Sequence, residues 1–186
     1  MASQAPPKNL RQLNRYITTH DSHGKAVISK SIADSAPVTE INNGAMHFSL
    51  MYTNARSPQL TNDADIDFYQ SHLKTPPAIT VPDGTVCRVC DYPPGYLTPM
   101  HRTVSLDYGV VLEGEIELVL DSGETQLLGR GDVVVQRGTN HAWRNVSPEG
   151  GWARMLYVLQ DSEAVRLASG EILGGDEGGI DRGTES

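Results

Sequence analysis

Between residues 85 and 159 the chain breaks every few residues at glycine or proline: Pro93-Pro94-Gly95, Gly114, Ser122-Gly123, Gly129-Arg130-Gly131 and Gly138. The pieces between these breaks are β-branched or alternate apolar with polar residues. They read as strands over 85–92, 105–112, 115–120, 133–135, 141–146 and 153–159. In the third, Glu115 and Glu117 alternate with Ile116, Leu118 and Leu120, the period of a half-buried strand. Many short strands joined by close turns, with little helix, predict an all-β protein, an antiparallel sandwich or barrel.

The flanks are less regular. Residues 1–13 carry Pro6-Pro7 and read as a flexible arm. Residues 16–19 and 26–28 form a strand pair around the Asp21–Gly24 turn, 46–53 is a further strand, and 63–73 is a short helix. One domain is expected over 14–162, with 163–186 as a short helix (165–173) followed by an acidic, glycine-rich tail too polar to order.

Composition removes several functions. Acids outnumber bases 23 to 15, and residues 161–186 hold seven of the acids against two bases. Nothing clusters Lys and Arg as a phosphate backbone requires, so nucleic acid is not an expected partner. The N-terminus has no apolar stretch of the kind a secretory signal carries, and no run approaches the ~18–20 apolar residues of a membrane span. Two cysteines make no disulfide framework, which leaves the reducing cytoplasm as the expected compartment. Cys87 and Cys90 form a C-x-x-C on a strand with no second pair, and read as structural thiols.

The chemistry concentrates on one strand face. His101, Thr103, Ser105 and Asp107 alternate and project together, while Val104, Leu106, Tyr108 and Val110 take the other side. An imidazole, two hydroxyls and a carboxylate on one face are either a wetted surface or a site.

The surrounding spacing favours the site. Gly95, five residues, His101, one, Thr103, three, Asp107, six, Gly114 resembles the first motif of the cupin superfamily; Gly131 through Arg137-Gly138, His141 and Asn145 resembles the second, with one residue fewer before the histidine. The likeness covers residues 85–159. It implies a jelly-roll β-barrel whose interior holds His101, position 103, Asp107 and His141, where relatives usually bind a divalent metal through three histidines and a glutamate. Thr103 replaces the second histidine and Asp107 the glutamate. The remaining set, His101, Asp107 and His141, suits Zn or non-haem Fe(II), with Mn or Ni as alternatives. Asp is also one methylene shorter than Glu.

Without a metal, a desolvated Asp107 beside His101 and His141 still forms an acid–base set. Those three are the candidate catalytic residues. Thr103, Ser105, Tyr52, Tyr96, Trp143 and Tyr157 are candidates for binding a small-molecule substrate, and His47 is the one further histidine with a path to the cavity. Asn145 reads as a turn or backbone-pairing residue. The expected activity is that of a lyase or isomerase: dehydration, decarboxylation or enolisation of a largely apolar carbonyl or hydroxy compound of the polyketide type. An Fe(II) dioxygenase and a non-catalytic ligand-binding module are the alternatives. The resemblance also implies a homodimer through edge strands.

Overall fold

The turn-and-strand punctuation becomes two antiparallel sheets in a computed structural model, which describes residues 10–180. The larger sheet has six strands. Their order across it is β3 (Thr39–Ile41), β4 (Met46–Ala55), β5 (Gly84–Tyr92), β11 (Ala153–Asp161), β6 (Ser105–Glu113) and β9 (Val133–Arg137). The smaller has three: β10 (His141–Asn145), β7 (Ile116–Leu120) and β8 (Thr125–Leu128). β1 (Thr18–His20) and β2 (Ala26–Ile28) pair separately as the hairpin the Asp21–Gly24 turn predicts. The architecture is the all-β jelly-roll barrel.

Alternation decides which residues fill it. Val86, Cys90 and Tyr92 from β5, Met155, Tyr157 and Leu159 from β11, and Val111 from β6 meet Ile116, Leu118, Leu128 and Trp143 of the smaller sheet in one apolar cluster. Gly109 lies opposite Tyr157 in the β6–β11 register, and a Cβ there would come within 3.1 Å of the Tyr157 ring. The missing side chain leaves room for that ring. Gly114 turns the chain between β6 and β7 with φ of +78°; a Cβ would collide with the Ser147 hydroxyl and approach Ala153 to 3.0 Å. Its place in the first motif is thus set both by backbone handedness and by space.

The outer face of the larger sheet is covered at β4 by the helix α1 (Ala64–Lys74), which buries Ile66 and Tyr69 against it. Asp65 and Asp67 in its first turn and His72 and Lys74 in its last complement the helix dipole. Tyr69 donates to the Leu50 carbonyl at 2.7 Å and accepts from the Arg15 guanidinium. Asn145 is fully buried and, as its sequence position suggests, pairs with backbone: its amide nitrogen donates to the carbonyls of Tyr92, Pro93 and Gly151, and its oxygen accepts from Ser147 N.

Three expectations are corrected. Residues 165–173 are not a helix but a hairpin, β12 (Val165–Arg166) with β13 (Ile172–Leu173), because Ser169-Gly170 makes a tight turn in mid-segment. The arm expected over 1–13 is docked where it is described: Leu10 is buried, and Arg154 Nη1 donates to the Arg11 carbonyl at 2.9 Å. Residues 1–9 lie outside the described residues. The tail is ordered through Ile180, with residues 181–186 again outside the described set; Arg102 and Asp176 exchange backbone hydrogen bonds.

Candidate active site

Two short extended stretches set the histidines side by side. His101 N donates to His141 O and His141 N to His101 O, each at 2.9 Å. This antiparallel pair brings the two rings to 4.3 Å between centroids. Each Nδ1 lies 2.9 Å from the carbonyl two residues back, Pro99 for His101 and Thr139 for His141. A carbonyl only accepts, so each Nδ1 carries the proton and each Nε2 presents a lone pair. Burial holds both imidazoles neutral: His101 is shifted down, and His141, next to His101 as well, is pushed down to about 4.

Asp107 faces inward from β6 and is 4% exposed. Its Oδ2 accepts from the Thr103 hydroxyl at 3.2 Å, and the Thr103 oxygen accepts in turn from Ser105 at 2.8 Å. Oδ1 is buried with no partner. Loss of hydration pushes the carboxyl up to about 6, against the opposing pull of the Ser105 and Thr103 hydroxyls. At neutral pH the group therefore lies within reach of both protonation states.

These residues line a small cavity that opens to solvent. Met46, Phe48, Ile79, Trp143, Leu159 and Ile180 supply apolar walls; His101, Thr103, Asp107 and His141 line it as well. Trp143 packs edge-on to His141 with centroids 5.2 Å apart, and against Tyr157 at 5.6 Å. Tyr157 and Tyr92 join hydroxyls at 2.9 Å, and Tyr157 also donates to Met155 Sδ at 3.0 Å. Both phenols are raised well above their usual range by burial.

Of the candidates, His101, Thr103, Asp107, His141, Trp143 and Tyr157 meet in this cavity. Ser105 does not reach it and serves Thr103 instead. Tyr52 is turned away by a register shift in β4 between Leu50 and Tyr52; its hydroxyl donates to Asp65 at 2.6 Å and its ring meets Tyr69. Tyr96 accepts from Asn42 at 2.7 Å outside the lining. His47 stacks on Trp152, also outside it. Cys90 lines the cavity, but burial pushes its thiol to about 12, so it is inert there. Arg88, Cys90 and Tyr92 are wall residues that the two motifs do not mark, although their alternation on β5 carries the same signal as that on β6. Arg88 Nη2 donates to the Ala78 carbonyl at 3.0 Å and its guanidinium lies over Phe48.

The three-residue metal set does not assemble. Among the described residues no three of His, Cys, Asp or Glu come together as a ligand group. The imidazoles pair, but the shorter carboxylate of Asp107 is turned to Thr103, the residue that stands in the place of a ligand. The donors fit a hydrogen-bonding site better than a coordination sphere.

Residues 88–159 match the Cupin_2 family, described as a cupin domain. Over 170 residues the chain is 50% identical to "Phomopsin biosynthesis cluster protein C'" of Diaporthe leptostromiformis, covering 91% of this chain and 88% of that one. The chain belongs to the cupin superfamily. This cupin is also 43% identical to "Oryzines biosynthesis cluster protein J" of Aspergillus oryzae, over 91% of this chain and 93% of that protein. It is 38% identical to "Cupin-domain-containing oxidoreductase virC" of Hypocrea virens, over 88% and 83%. The likeness extends far outside the cupin match, so the N-terminal third is part of what these relatives share. No helix among the described residues is long and apolar enough to cross a membrane.

Proposed function

We propose that this cupin moves protons on a small, largely apolar carbonyl or hydroxy compound of secondary metabolism, as a lyase or isomerase: an enolisation, a dehydration or a decarboxylation. The observation that carries the reading is Asp107, a buried carboxyl with one unpartnered oxygen and a pKa raised to about 6, in an apolar cavity that also holds two neutral imidazoles.

The roles follow from protonation. The Nε2 lone pairs of His101 and His141 accept a proton from the carbon next to a carbonyl or from a hydroxyl, since each Nδ1 is committed to a backbone carbonyl. Asp107, where protonated, donates through Oδ1 to the oxygen on which charge gathers. The Thr103–Ser105 hydroxyl chain steadies the carboxylate that remains. The apolar walls exclude water, which strengthens these transfers and selects an apolar substrate body. Relatives from biosynthesis clusters support the metabolic setting.

The test is hydrogen–deuterium exchange at the α-carbon of a panel of aryl ketones in D2O, followed by NMR under anaerobic conditions. Exchange faster than the buffer rate, lost in Asp107→Asn, is the expected result; no exchange with any ketone contradicts the reading. A second reading is favoured by the name of the virC relative: an oxidoreductase acting on the same class of compound. Substrate loss matched one to one by oxygen uptake, and abolished under anaerobic conditions, selects it.

A further inference from the structure

Residues 174–180, Gly-Gly-Asp-Glu-Gly-Gly-Ile, have the composition of a solvated tail, yet they pack across the edge of the candidate site. Arg102 N donates to Asp176 O at 2.6 Å and Asp176 N to Arg102 O at 2.8 Å. Arg102 follows His101, whose own backbone pairs with His141. Neighbouring residues of one stretch thus tie the active-site histidines on one side and the tail on the other. Two further bonds shape the segment: Gly178 N donates to the Asp176 side chain at 3.0 Å, and Ile180 N to Glu177 O at 3.0 Å. Gly178 passes so close to the Met100 carbonyl that a Cβ would collide with it, and it would stand 3.3 Å from His101 Cβ; its φ is +61°. The segment ends with Ile180 in the cavity wall, packed against the core.

We infer that residues 174–180 are a strap over the cavity mouth, with Ile180 as an apolar plug that governs which substrates enter. The inference rests on reading the cavity as the substrate site. Apart from Ile180 and the half-buried Glu177 and Gly178, the strap is exposed and held by a handful of backbone bonds, so it opens without unfolding the barrel. Glycine pairs on either side of Asp176-Glu177 supply the hinges. A closed strap excludes water from the apolar cavity. A large substrate passes only when Ile180 is displaced, so the residue at 180 sets a size limit.

Acrylamide, a small neutral carbonyl compound that quenches indole fluorescence, measures access to Trp143 in the cavity wall. Trp152→Phe removes the only other tryptophan and keeps a ring on His47. In that background Gly178→Val, which cannot sit against Met100, is expected to raise the quenching constant roughly threefold, and Ile180→Ala about twofold. Ile180→Ala removes only a side chain, so it keeps the test decisive if Gly178→Val fails to fold. A quenching constant in Ile180→Ala equal to that of its parent, with unchanged near-ultraviolet circular dichroism, overturns the strap. The readout needs no turnover, so absent ketone exchange with raised quenching would sink the proposed chemistry alone.

Discussion

Asp91 and Asp107 sit on the two strands that flank β11, each only 4% exposed, and the protein treats them in opposite ways. Asp91 points to the outer face, where Arg154 stands beside it in register and grips it with two bonds, Nε to Oδ1 at 2.6 Å and Nη2 to Oδ2 at 2.7 Å. The third guanidinium nitrogen reaches the Arg11 carbonyl, so this pair also docks the N-terminal segment. Asp107 points inward, where the hydroxyls of Thr103 and Ser105, not a cation, favour its charge. A carboxyl taken out of water is kept either by a matching cation or by a move toward its neutral form. The first solution fixes structure; the second leaves a proton ready to travel.

The contrast breaks most visibly at Arg154. Arg154→Met leaves Asp91 buried without its cation and is expected to cost about 3–5 kcal/mol in urea unfolding. The double variant with Asp91→Leu should recover most of that loss, because two apolar side chains need no pairing.

At Asp107 the same kind of removal has the reverse sign. The folded carboxyl titrates near 6 against an ordinary 3.8, so the native state holds a proton longer than the unfolded chain. Asp107's contribution is then present in full below about pH 3.8 and lost as pH rises through 6. Asp107→Asn should stabilise the protein by about 2–3 kcal/mol at pH 8 and leave it unchanged near pH 3.5, while ketone exchange falls by about 10²–10⁴-fold. Loss of stability at pH 8 would place Asp107 with Asp91.

His141 tests the other side of the cavity. Its folded pKa of about 4 lies below the ordinary 6.5, so protons favour the unfolded chain as pH falls through that window. That contribution alone is about 2 kcal/mol less stability at pH 5 than at pH 7, partly offset by the proton Asp107 takes up over the same range. The gap between the melting profiles of the parent and His141→Gln should therefore change by about 2 kcal/mol across it. The smallest effect belongs to the exposed cross-strand pair Arg144–Glu117, 2.7 Å apart, where Arg144→Ala should cost less than about 1 kcal/mol.

How far these features are legible in the sequence follows the range of the interactions. The strands from 84 to 161, β8 excepted, are legible because apolar alternation and glycine turns are local. The inward face of His101, Thr103 and Asp107 follows from strand geometry and motif spacing, and both glycines at 131 and 138 have the positive φ expected of such turns. Tyr52 is misplaced because a single register shift in β4 reverses its face, and nothing local announces that shift. The Arg154–Asp91 pair, 63 residues apart, has no local signature either. β3 and β8 are short strands whose partners, rather than their composition, make them strands. The tail misleads by composition: backbone bonds to Arg102 and one isoleucine order a segment that charge and glycine content read as solvated.

The central claim is that Asp107 holds its proton to about pH 6 inside this cavity. Carboxyl-labelled aspartate followed by 13C NMR across a pH titration, assigned with Asp107→Asn, reads it directly. A midpoint near 6 for Asp107 is the predicted result. A midpoint at or below about 4, that of an ordinary hydrated aspartate, would contradict it.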